Sequence, residues 1–151
     1  MTKLEYRDLL VATSLAGGFP AVEKEPDGRV ACRYRTSTGK RCAVGLILPD
    51  ANYAAALEGK GVFVVQGWKE PEKYDQVNRA VGEPPAGMTW ADLQRVQREH
   101  DFLATPCVYA GHAWPHDAFV AALNQLPCFA DLAPAPLPAT TTPDPAPCAT
   151  P

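Results

Sequence analysis

Cys42 follows the turn Gly39-Lys40-Arg41. A thiol beside two cations, at the start of a buried helix, has its pKa lowered and becomes a nucleophile. It also needs a base within hydrogen-bond reach. His100 with Asp101 offers one imidazole–carboxylate pair, while His112, and His116 with Asp117, offer others. The chemistry expected of Cys42, His100 and Asp101 is hydrolysis or group transfer. The competing expectation is that Cys42 is core and that His100 is a core histidine bonded to backbone.

A second candidate is electrostatic. Between Arg29 and Arg41 lie five cations (Arg29, Arg33, Arg35, Lys40, Arg41) and no acid. On a hairpin, Arg33 and Arg35 share one strand face and Lys40 and Arg41 return alongside, with the hydroxyls of Thr36, Ser37 and Thr38 at the tip. Guanidinium forks and hydroxyls suit phosphate or carboxylate oxygens. Arg33, Tyr34, Arg35, Lys40 and Arg41 are therefore the candidate ligand-binding residues, with Tyr34 or Trp68 as a stacking surface. The partner expected is an anionic small molecule or an acidic protein surface. The alternative is a solvated hairpin whose arginines pair with Glu23, Glu25 or Asp27. The net charge of −3 argues against broad nucleic-acid binding, which needs a larger basic face.

Metal and cofactor chemistry lack their usual signatures. The five cysteines include no C-x-x-C pair, so no zinc ribbon or thioredoxin-like motif is expected. His112 and His116 are spaced i, i+4, but Trp114-Pro115 breaks a shared helix. Position 34 is Tyr where a phosphate loop ending at Gly39-Lys40 needs Gly. No dinucleotide, nucleophile-elbow or zincin motif occurs. No metal and no cofactor are expected. A disulfide between Cys32 and Cys42 is allowed if they face each other across a hairpin, but in a reducing compartment free thiols are the default.

These residues must be positioned by local elements. Residues 4–16 carry apolar residues at helical spacing and stop at Gly17-Gly18. Residues 30–35 alternate as a half-buried strand. Residues 42–48 are apolar on both faces and read as a central strand or a buried helix. Asp50 is a fair cap for a short helix over 51–59, 62–66 is the most β-prone run, and Pro71 opens a helix over 72–81. Thr89 with Asp92 forms a capping box for a helix over 90–104. An irregular stretch then leads to a last helix over 116–126.

The fold class expected is α+β: a small antiparallel sheet, from 29–35, 41–47 and 62–66, packed against three or four helices. Tyr34, Val44, Leu46, Ile47, Leu57, Leu93, Val96 and Phe119 are the expected core. One globular domain spans 1–132. Residues 133–151 include seven prolines among nineteen residues, and that composition predicts a disordered tail. No apolar run is long enough to cross a bilayer. With no secretory leader read at the N-terminus, a cytoplasmic location is expected.

C-x-Y at 32–34, G-x-x-C-A-V-G at 39–45, LPD at 48–50, Tyr53, LEG at 57–59 and LQRVQREHD at 93–101 form an ordered series. In this series the chain resembles a family of small uncharacterised bacteriophage and prophage proteins with a cysteine-bearing hairpin and a later helix ending in His-Asp. The resemblance covers about residues 29–103. It implies an intracellular accessory role, such as one in phage–host conflict, and carries no established activity. Three readings follow: a binding module acting through the basic hairpin, a cysteine-dependent hydrolase or transferase, and a structural or virion-associated interaction protein.

Overall fold

The computed structural model describes residues 1–60 and 75–137. Helix α1 (Lys3–Leu15) starts from a reciprocal cap, in which the Thr2 hydroxyl accepts the Glu5 N–H and the Glu5 carboxylate accepts the Thr2 N–H. That exchange satisfies amides that a bare helix start leaves open. Tyr6, Leu10 and Ser14 form its buried stripe, the i, i+4, i+8 spacing of one helix face. The fully buried Tyr6 hydroxyl donates to the Ala43 carbonyl at 3.0 Å, tying α1 to the cysteine segment.

Strands β1 (Val22–Lys24) and β2 (Val30–Cys32) pair antiparallel, with Val22 opposite Cys32 and Lys24 opposite Val30. Gly28, at φ +88°, closes their turn, a conformation that favours glycine over any residue with a Cβ. The α+β class therefore holds, but the hairpin differs from the expected one. The partner of the first expected strand is 22–24, not 41–47. Residues 42–48 form a helical turn instead, with Leu46 N–H bonded to Cys42 O at 3.1 Å and Leu48 N–H to Val44 O at 3.2 Å. Such a turn buries apolar side chains on all sides without an edge strand to satisfy. The expected helix over 51–59 is also corrected, to two short 3₁₀ turns at Asp50–Asn52 and Ala55–Leu57. Asp50 makes no capping bond, and its carboxylate serves Arg35 and Arg41. The expected strand at 62–66, the start of the helix expected at 72–81 and Trp68 lie outside the described residues.

Helix α2 (Gln76–Val81) ends at Gly82, and α3 (Trp90–Tyr109) begins with the expected Thr89–Asp92 capping box. Leu93, Val96, His100 and Ala104 are its buried face. It continues for five residues into the stretch expected to be irregular, from Thr105 to Tyr109. Pro106 cannot donate a backbone hydrogen bond to the turn before it. Nearby, the Thr105 hydroxyl bonds Asp101 O at 2.9 Å and the Cys107 thiol bonds Leu103 O at 3.3 Å, so side chains share the carbonyls of that turn. Helix α4 (His116–Gln125) packs on α1 and α3, and α3 lies against both strands. Of the expected core, Tyr34, Val44, Leu57, Leu93, Val96 and Phe119 are buried, while Leu46 and Ile47 sit half-buried at its margin.

Packing continues beyond Leu132. Arg7 donates to the Ala133 carbonyl, and Asn124 exchanges two hydrogen bonds with Ala135 at 2.9 and 3.3 Å. The tail expected from there onward lies outside the described residues from position 138. Among the described residues no helix is long and apolar enough to cross a membrane.

Candidate functional site

Helix α3 sets the site. Gln97, His100 and Asp101 fall within little more than one turn of it, on the side that meets β2. His100 is fully buried. Its ring meets Phe19 edge-on at 4.8 Å between centroids and lies 5.5 Å from Trp114. The Ala21 N–H points at His100 Nε2 at 3.5 Å, and Nδ1 faces Asp101 Oδ1 at 3.0 Å. Together these favour the tautomer with its proton on Nδ1, donated to the carboxylate.

The expected His100–Asp101 pair is thus formed. The cysteine beside it is Cys32, whose Sγ lies 3.9 Å from His100 Nδ1. Cys42 is 1% exposed, its Sγ accepts the Gly45 N–H at 3.3 Å, and its thiol is within hydrogen-bond reach of Cys32. The cations expected to activate Cys42 are engaged elsewhere: Lys40 Nζ bonds Phe19 O at 3.3 Å and Arg41 pairs with Asp50 at 2.9 Å. Both cysteines are free thiols. Of the other bases considered, His112 is exposed and His116 Nδ1 faces the Ser14 hydroxyl at 2.8 Å.

Gln97 completes the cluster. Its Oε1 accepts the Val44 N–H at 3.0 Å, and its Nε2 donates to Cys32 Sγ at 3.3 Å and Asp101 Oδ1 at 2.6 Å. One amide therefore joins the 42–48 turn, β2 and α3. The hydrogen bond with Cys42, and then burial, push the Cys32 thiol far above its ordinary range. Burial would lower the His100 pKa, but its bonds to Asp101 and Cys32 outweigh that and leave it raised. Cys32 and Asp101 also face the same ring nitrogen. A relay to a nucleophile uses the two ring nitrogens for two partners, so this arrangement is poorly built for that mechanism.

A cleft of about 290 Å³ opens over the cluster, lined by Cys32, Tyr34, Cys42, Lys60, Gln97 and Asp101 among others. Neither Arg33, Arg35 nor Arg41 lines it. Arg33 pairs with Glu25, and with Glu23 at 3.5 Å. Arg35 pairs with Asp50 at 2.6 Å, bonds Leu48 O at 3.1 Å and stacks its guanidinium 4.4 Å over the Tyr53 ring. Arg29 pairs with Asp27 at 2.7 Å. The four arginines of the acid-free run are thus paired with Glu23, Glu25 and Asp27 before it and with Asp50 after it, Arg35 and Arg41 sharing the last. Trp68, the other expected stacking residue, is not among the described residues.

Glu58 is a structural keystone that the sequence reading did not single out beyond the LEG series. Its carboxylate accepts Tyr34 N–H at 3.0 Å, Arg35 N–H at 3.2 Å and the Tyr53 hydroxyl at 3.0 Å. It therefore fixes the wall that carries Tyr34. Glu58→Ala is expected to cost about 2–3 kcal/mol, because it strands donors in a half-buried setting. Glu58→Gln, which keeps one acceptor oxygen, is expected to cost less. Urea unfolding measures both, and a loss below about 0.5 kcal/mol for the alanine variant would mean that water replaces the carboxylate.

Comparison with protein-family models, with curated proteins and with solved structures finds no match to this chain.

Proposed function

We propose that this chain is a small binding module whose ligand enters the cleft between β2, the 57–60 turn and α3. The observation that supports the reading is the convergence of Cys32, Tyr34, Gln97, Asp101 and Lys60 on one concavity beside the hairpin, with the Lys60 ammonium bonded to the Gln76 amide oxygen. Small-ligand sites are usually concave and carry a few convergent polar groups. Lys60, the cation that lines the cleft among the described residues, keeps an anionic ligand as the expected class. The arginines of the basic run take a supporting part, since each already holds a carboxylate of its own chain. With the phage-protein resemblance, the reading is of a cytoplasmic accessory protein that sequesters or senses a small anion.

The test is a chemical-shift map of the ¹⁵N-labelled full chain titrated with inorganic phosphate and with acetate. Shifts centred on Cys32, Lys60, Gln97 and Asp101, weakened about tenfold by Lys60→Ala, are the expected result; a tenfold loss corresponds to about 1.4 kcal/mol. Shifts centred on Arg33, Arg35 and Arg41 and suppressed by salt would return recognition to the hairpin charges. No shift in the cleft with either probe would remove the anionic class.

A further inference from the structure

We propose that Cys32, His100 and Asp101 are the three protein ligands of a zinc-class divalent cation, with its fourth position open to the cleft. Cys32 Sγ, His100 Nδ1 and Asp101 Oδ1 all lie within 4.8 Å of one another. Zinc bonds of about 2.0–2.3 Å at tetrahedral angles hold such atoms about 3.5 Å apart. The Sγ–Nδ1 separation of 3.9 Å and the Nδ1–Oδ1 separation of 3.0 Å straddle that value. Adjustments of about 0.5 Å reach it for these two pairs, and the third, Cys32 Sγ to the Asp101 carboxylate at up to 4.8 Å, closes by about 1 Å as the part-exposed carboxylate turns inward. The feature that weakens a catalytic relay, two partners on one ring nitrogen, is the one a cation needs, because three lone pairs converge on one point. A set of one sulfur, one nitrogen and one oxygen suits zinc or cobalt better than magnesium or calcium.

The frame is rigid where a metal site needs rigidity. The His100 ring is held by Phe19 and Trp114, and two of the three ligands are adjacent on α3. Cys32 and Asp101 also line the cleft, which leaves room for a fourth ligand from solution. The point of convergence is now occupied by positive hydrogens: the Nδ1 proton of the favoured tautomer and the Gln97 amide, which reaches both Cys32 and Asp101. Binding of the cation releases the Cys32 thiol proton to water, moves the ring proton to Nε2, and turns the Gln97 amide away. The ring proton then faces the Ala21 N–H, a second donor, so the weak 3.5 Å hydrogen bond between them is given up and the two groups move apart.

This inference stands apart from the anionic ligand. Cobalt binding without phosphate or acetate shifts would leave the metal and remove the ligand, and the reverse result would do the opposite. The experiment titrates cobalt(II) into the reduced, metal-free full chain and follows the thiolate-to-cobalt charge-transfer band and the visible d–d bands, then displaces cobalt with zinc. One cobalt per chain with tetrahedral bands is expected. Cys32→Ala should abolish the charge-transfer band and weaken binding at least about 100-fold, since even outer partners of metal ligands are worth about 10–100-fold. Asp101→Asn, a change at a part-exposed position, should weaken it while circular dichroism reports an intact fold. Gln97→Ala should bind as tightly or more tightly, because a competitor for the same point is gone. Absence of the band in the parent chain, its persistence in Cys32→Ala, or loss of binding in Gln97→Ala would each overturn the proposal.

Discussion

Gly45→Ala is expected to unfold most of the chain at 37 °C. A Cβ at position 45 would sit 2.1 Å from the Tyr34 carbonyl oxygen, 2.9 Å from its carbon and 3.1 Å from Tyr34 Cα. All three are backbone atoms, so no side-chain rotation relieves the clash. The 42–48 turn must leave the wall that Glu58 and Tyr34 build. That movement withdraws Val44 from Gln97 and Cys42 from Cys32. A loss of more than about 4 kcal/mol is expected, at the extreme of single substitutions and comparable with the whole stability of many small domains. Gly39→Ala is the control: its φ of +83° is unfavourable for alanine, but nothing lies within 4 Å of the added Cβ. Its expected cost is about 1 kcal/mol. Urea unfolding of both variants reads the difference, and a Gly45→Ala midpoint within about 1 kcal/mol of the parent would show that the close approach is not what holds the turn.

Phe19→Ala should cost about 3–5 kcal/mol, the range for emptying a buried aromatic site. Phe19 is 1% exposed and contacts three rings: His100 at 4.8 Å, and Trp114 and Phe119 at 5.4 Å each. Its removal takes away the edge-on contact that orients the histidine as well as core volume. Phe102→Ala, at a side chain 75% exposed on the far side of α3, should change stability by less than about 0.5 kcal/mol. Thermal and urea midpoints measure both. Equal losses at the two positions would show that the four-ring cluster is not a centre of the core.

The sequence was most legible where one local rule acts alone. Thr89 and Asp92 mark a helix start that needs no tertiary partner, and α3 begins there. Gly17-Gly18 marks a helix stop, and α1 ends at Leu15 just before it. The assignment of a partner to β2 failed because the alternation in 30–35 states which face is wet and not which segment lies alongside. The apolar run at 42–48 carries no period, so its turn geometry comes from tertiary contacts: Gly45 under Tyr34, and Gln97 on the Val44 amide.

The site was half legible. His100 and Asp101 stood out by type and adjacency, and they do pair. The choice of Cys42 over Cys32 rested on flanking cations, yet Lys40 and Arg41 turn to Phe19 and Asp50. Linear charge density says little once acids from neighbouring segments fold back on it. Gln97 carried a usable signal, lying one turn before His100 on the face that leads to the buried stripe. A neutral amide at that position reads as surface until its three hydrogen bonds are seen.

Gln97 and His100 follow Cys32 by more than sixty residues along the chain, and they provide much of its cover. On a ribosome the hairpin emerges first, with its thiol in solvent and before the contact with Cys42 and the burial that later raise its pKa. The newborn chain therefore passes through an interval of ordinary cysteine reactivity that closes only when α3 docks. For this protein, the speed of synthesis and the redox state met during it bear directly on how many molecules reach the folded form with an intact site.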